Sequence, residues 1–211
     1  KFTVNKKGQI CFGMGAVKSV GEVVIQSITE ERDANGEFKD FADFLMRMSG
    51  KGVNRKSIEA LAAVGVFDCF EGCHRAMFYY IPEGDKTTFV EKAIKSVGVY
   101  LERKNNAQFD LFADSSNDID ETFTIQLPEC EPWSKMKELE MEKELVGFYM
   151  SSHPLDLYKD TIKYFANIIL ENVKAAIEAS RPDTTLVMAG LVTSSEKFTS
   201  KTGTEYGRYR I

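Results

Sequence analysis

Two short runs in this chain combine glycine, small residues and lysine in the way a phosphate-binding turn requires. In the first, Gly13-Met14-Gly15-Ala16-Val17-Lys18-Ser19-Val20-Gly21-Glu22 leads into a stretch where Val24, Ile25 and Ile28 share one helical face. Gly21 admits close backbone approach, and the amides that open the next helix are unpaired donors at the positive end of its dipole. Lys18, Ser19, Val20, Gly21 and Glu22 therefore make a candidate site for one DNA phosphate, with no base information read. A packing corner between two helices also uses glycines, and the residues alone leave that reading open. The second run, Ser49-Gly50-Lys51-Gly52-Val53, precedes Asn54, a natural cap for a helix over 55–64. Lys51, Asn54, Arg55 and Lys56 repeat the first arrangement: glycine turn, basic residues, amphipathic helix.

A third stretch offers chemistry of another kind. Ala107-Gln108-Phe109-Asp110-Leu111-Phe112-Ala113 is an apolar island between Glu102–Asn106 and the acidic run that starts at Asp114. So short a segment has two outlets: a partner's groove or its own domain. In the groove, the Gln108 amide hydrogen-bonds while Leu111 and Phe112 fill an apolar pocket.

Other reactive residues point nowhere. Cys69, Cys73 and His74 lie close together, but no second ligand pair follows at a usable spacing, so no metal site is expected. The four cysteines read as reduced thiols. His153 has no nucleophile within sequence reach and precedes Pro154, which suits a turn better than a catalytic base. No catalytic residue is assigned.

The elements that must hold these residues are mostly helices. Phe38, Phe41, Phe44 and Leu45 form a core stripe behind Asp40 as N-cap. Helices are expected over 55–64, ending at Gly65, over 74–78, and over 87–105 with Phe89, Val90, Ala93, Ile94 and Val97 inward. Ser134 caps another helix, and two more follow over 156–165 and 170–179. The first ten residues, with Lys6-Lys7-Gly8 between short β-prone pieces, suggest an extended segment or a hairpin remnant. Residues 184–194 have strand composition, and a turn at Lys201–Thr204 leads to Tyr206–Ile211. The fold class is thus mainly α with a short C-terminal β segment.

The net charge of −5 is uneven: −9 over residues 61–180, against +2 over 1–60 and +2 over 181–211. Nucleic-acid contacts should therefore come from the ends. No apolar run approaches the roughly 20 residues of a bilayer span, so no membrane role and a cytoplasmic setting are expected. The chain lacks an initiator Met and stops at Tyr209-Arg210-Ile211, as a piece cut from a longer protein would.

Three motifs in order carry a specific resemblance: Phe12–Glu22, Phe38-Lys39-Asp40-Phe41-Ala42-Asp43-Phe44, and Val53-Asn54-Arg55-Lys56 with Ile58–Leu61 and Gly65-Val66-Phe67-Asp68. Together with Glu142-Lys143-Glu144 and Gly147–Leu155 they resemble the bacterial replicative DNA polymerase III alpha subunit, from its tandem helix-hairpin-helix domain to the start of its oligonucleotide-binding (OB) barrel. Ser19 stands where hairpins of this family usually carry Gly.

The resemblance implies four regions. Residues 1–106 are a tandem helix-hairpin-helix domain with following helices, and 107–132 a clamp-binding motif and acidic linker. Residues 133–183 are a helical connector, and 184–211 the first strands of a truncated OB-fold. It implies duplex DNA, the β sliding clamp and other polymerase III holoenzyme subunits as partners. Gln108, Phe109, Asp110, Leu111 and Phe112 would be the clamp peptide, although Phe109 stands where a small or polar residue is more usual. The parent would be a DNA-directed DNA polymerase, a nucleotidyltransferase using Mg2+. Its catalytic carboxylates have no counterpart here, so this piece should need no cofactor and be inactive alone. Two other classes remain: a helix-hairpin-helix repair or nuclease-associated module, and a helical protein-interaction module without DNA binding.

Overall fold

The spacing of Phe38, Phe41 and Phe44 creates the centre of the fold. In the computed structural model, which describes residues 2–109, 123–179 and 184–211 (backbone alone for 106–109 and 170), these residues flank or build α2, Phe41–Met48. Asp40 caps α2 by accepting from the Asp43 amide at 2.7 Å. Phe41 meets Phe67, Phe78 and Phe89 at ring-centroid separations of 5.5, 4.9 and 5.9 Å, so three other parts of the chain converge on one aromatic side chain. Each such pair adds about 0.5–1.5 kcal/mol beyond its buried area.

The chain forms two compact units, Lys1–Met150 and Ser151–Ile211. The first begins with a hairpin of β1, Thr3–Val4, and β2, Ile10–Cys11. Its turn is held by the Asn5 side chain, whose Oδ1 accepts from the Lys7 and Gln9 amides at 2.9 and 3.0 Å. Helix α1, Glu22–Asn35, buries Val24 and Ile28 and stops at Gly36 (φ 80). Helix α3, Arg55–Ala63, buries Ile58 and Leu61 completely. Its end is a Schellman motif: the Val66 and Gly65 amides donate to the carbonyls of Leu61 and Ala62 at 3.0 and 2.9 Å, with Gly65 at φ 82. Helix α4, Phe89–Phe109, buries Phe89, Val90, Ala93 and Val97 and packs on α2 and α3. Helix α5, Lys135–Val146, is capped by Ser134, buries Leu139 completely and packs on α3.

The second unit carries α6, Lys159–Phe165, and α7, Val173–Ala179. An antiparallel hairpin of β3, Ser194–Thr199, and β4, Glu205–Arg210, follows. His153 is the turn residue its sequence setting suggests: its Nδ1 accepts from the Leu155 amide at 3.2 Å, and its own amide donates to Asp156 Oδ2 at 2.8 Å.

The class is mainly α, as expected, but several segments differ in detail. Residues 184–193 are not strand: β-prone side chains make a strand only where a neighbouring backbone pairs with them, and the partner of β4 is Ser194–Thr199. Residues 74–78, expected as α-helix, form a 3₁₀ turn at Arg75–Tyr79. Helix α4 runs past the expected stop at Asn105-Asn106 to Phe109. Residues 123–132, expected within a linker, are irregular but lie on the first unit's core through the half-buried Phe123, Ile125, Leu127 and Cys130. Phe123 stacks against Tyr100 of α4 at 4.9 Å. Of the proposed clamp peptide, Asp110, Leu111 and Phe112 lie outside the described residues, and Gln108 and Phe109 supply only the last backbone turn of α4.

Candidate nucleic-acid interface

The first glycine-rich run folds as a 3₁₀ turn, Met14–Ala16, then a four-residue turn, then α1. The turn is closed by the Val20 amide donating to the Val17 carbonyl at 3.3 Å, with Val17 and Val20 both buried. The two valines hold the turn to the core and leave Lys18 and Ser19 exposed between them. Ser19 has φ 68, the only positive φ at a non-glycine among the described residues. The third position of such turns favours glycine, so Ser19 holds a backbone conformation that serine resists. The Lys18 amide is also fixed, donating to the Leu145 carbonyl at 2.9 Å.

Gly21 is the N-cap of α1, in ordinary extended geometry (φ −69, ψ 149) and with no side-chain cap on the helix. A Cβ at this position would meet nothing within 4 Å. Neither backbone strain nor packing within the described chain therefore requires glycine at 21. The first backbone bond of α1 runs from the Ile25 amide to the Gly21 carbonyl at 3.2 Å, leaving the Glu22, Val23 and Val24 amides to outside acceptors.

The second run is arranged differently. Gly50 and Gly52 take φ 74 and 80, so here glycine is required by the backbone. Asn54 caps α3 in a full capping box with Ser57: Asn54 Oδ1 accepts from the Ser57 amide and Ser57 Oγ accepts from the Asn54 amide, both at 3.0 Å. Only the Arg55 and Lys56 amides stay open at this helix front. Two of its three cations are engaged. Arg55 pairs with Glu59 at 2.6 Å and Glu91 at 2.8 Å, and Lys51 pairs with Glu31. Lys18 and Lys56 are exposed and form no ion pair with any described residue.

Two features are invisible in the sequence because their partners lie far apart. Glu31 gathers Arg47 and Lys51 and holds the end of α1 to the segment before α3; those bonds, first Lys51, then Arg47, lower its carboxyl to about 2. Arg75 bonds Asp68, the Ala63 carbonyl and Glu142, and ties α5 to the end of α3. Among the described residues no group of three or more His, Cys, Asp or Glu is placed to hold a metal ion. Cys73 is half-buried, and burial, then the charge of Cys69, pushes its thiol up to about 11. No helix of the described residues is long and apolar enough to cross a membrane.

Two glycine-containing turns each open an amphipathic helix, and residues 1–77 match the helix-hairpin-helix motif family. Sequence relatives extend the match to nearly the whole chain. It is 34% identical to the DNA polymerase III subunit alpha of Vibrio cholerae over 98% of its own length and 17% of the relative. The values for the Pasteurella multocida subunit are 32%, 98% and 17%, and for that of Borreliella burgdorferi 31%, 95% and 16%. The chain is thus homologous to one segment of the DNA polymerase III alpha subunit and spans about a sixth of the length of those relatives.

Proposed function

We propose that this chain is the DNA-holding segment of a DNA polymerase III alpha subunit, gripping duplex DNA through backbone phosphates. The observation that carries this is Gly21: an uncapped helix front with a glycine that neither backbone strain nor packing demands, beside the unpaired Lys18. A phosphate approaching the Glu22–Val24 amides would meet a Cβ at position 21 that the protein itself would not notice. On the second hairpin the Arg55 and Lys56 amides with the Lys56 ammonium form a weaker contact, since Asn54, Lys51 and Arg55 are engaged internally.

Gly21→Ala separates this reading from a packing corner. It should change stability by no more than about 1 kcal/mol, since the entropy advantage of alanine opposes the loss of a glycine N-cap, while weakening the chain's binding to a duplex oligonucleotide at every sequence tested. Unchanged binding by Gly21→Ala and by Lys18→Glu together would remove the phosphate site.

The homology supports a second part of the reading. Gln108–Phe112 has the composition of the peptide by which the family docks on the β sliding clamp: the Gln108 amide bonds in the groove, and Leu111 and Phe112 fill its pocket. Joined to weak DNA contacts, such docking raises the effective concentration of polymerase at its template and makes synthesis processive. Clamp binding by the chain, set beside the Leu111→Ala/Phe112→Ala variant, tests it; equal binding by both ends the assignment. In the same reading the β3–β4 hairpin opens an OB barrel, and the other holoenzyme subunits are partners of the full-length protein.

A further inference from the structure

We infer that the C-terminal end of α5 is a positioning device for the phosphate-binding turn, with the Leu145 carbonyl and the Phe148 ring as its contacts. The inference rests on the phosphate contact proposed above. Val17 and Val20 hold the turn Val17–Val20 from inside, and Ser19 keeps it in a backbone conformation that serine resists. Something must stop it from relaxing, and both outside restraints come from residues more than a hundred positions downstream. The Lys18 amide donates to the Leu145 carbonyl at 2.9 Å. This bond uses a carbonyl in the last turn of α5, where carbonyls lack partners inside the helix.

Gly147 then turns the chain in the left-handed region (φ 97), and Phe148 comes back onto Phe12 with ring centroids 5.0 Å apart and planes at 77°. Phe12 in turn meets Phe2 at 4.9 Å, so the segment leading into the turn is held between two rings. The device is itself fixed. The buried Glu142 accepts from Arg75 at 2.9 Å and from the Met150 amide at 2.9 Å, on either side of the Gly147 corner. Arg75 also reaches the Ala63 carbonyl at the end of α3. A continuous line of contacts therefore runs from the helix of the second hairpin, through Arg75 and Glu142, to the turn of the first.

Phe148 is 47% exposed, so its truncation should not unfold the chain. The test measures duplex-DNA dissociation constants for the 211-residue chain, Phe148→Ala and Phe148→Tyr, together with melting temperature and hydrogen exchange at the Lys18 amide. Phe148→Ala should weaken binding roughly threefold to tenfold, the loss of one aromatic pair, and speed Lys18 exchange. The salt dependence of binding should stay unchanged, since the number of phosphate contacts is kept. Phe148→Tyr should restore both affinity and protection. Undiminished binding by a folded Phe148→Ala, or unchanged Lys18 exchange, overturns the positioning role alone. Failure of the unmodified chain to bind duplex overturns the DNA reading and this role with it.

Discussion

Arg75 Nη1 donates to Glu142 Oε1 at 2.9 Å, across 67 positions of sequence, with the two side chains only 9% and 1% exposed. Glu142→Ala leaves Arg75 with Asp68 as its remaining counter-ion and strips the Met150 amide of its acceptor, so it should lower unfolding free energy by about 1–3 kcal/mol. Replacing both, as Arg75→Met with Glu142→Leu, should recover most of that loss. Chemical denaturation of the three proteins decides the point.

Gly65 should tolerate no side chain. Its φ of 82 strains any L residue, and a Cβ there would lie 2.6 Å from both Arg75 Nη2 and Asp68 Oδ2. Gly65→Ala should therefore cost more than the ~1 kcal/mol of a left-handed alanine alone. Ser19 is the opposite case. Ser19→Gly should raise stability by about 1 kcal/mol, since it relieves a left-handed non-glycine residue (φ 68). Both shifts are read from urea midpoints at constant m-value.

Acid should loosen the junction around Glu31. Its carboxyl is lowered to about 2 from an ordinary value of 4.5, with the Lys51 and Arg47 hydrogen bonds as the main causes. A lowered carboxyl contributes stability that is fully present above the unfolded value and fades as pH falls from 4.5 towards 2. Glu31→Gln should lose that pH dependence, which a denaturation series between pH 6 and 2 would show, while becoming less stable at neutral pH.

The thiols should separate kinetically. Cys11 and Cys69 are exposed, whereas burial pushes Cys73 up to about 11. At pH 8 a thiol reagent should label Cys73 slower than Cys69 by roughly tenfold or more, because only the thiolate reacts. Mass spectrometry of a labelling time course distinguishes the sites.

Caps, stripes and glycines made most of the first unit legible. Asp40, Asn54 and Ser134 each cap the helix that follows them, and Gly36 and Gly65 end helices in the left-handed region. These signals act within a few residues and need no knowledge of the fold. Val187–Val192 misled because strand propensity says nothing about a partner backbone. The segment before Trp133 misled because acidic residues and prolines suggested a linker. Its period-two pattern of Phe123, Ile125 and Leu127 was a signal for contact with the core. In the candidate site, the helix fronts were legible but the occupancy of their charges was not. Arg55 was expected to be free for DNA, yet Glu91 sits 36 positions away in sequence and 2.8 Å away in space.

The docking of α5 has a consequence for how this unit could be taken apart and put back together. Leu139 and Glu142 are wholly buried, and residues 123–130 add Phe123 against Tyr100 and Leu127 beside Gly72. Two peptides, 1–109 and 123–150, would therefore carry complementary halves of one interior. Mixed in solution they should reassociate into a single species that elutes together in size-exclusion chromatography, a natural split point for a reporter of assembly.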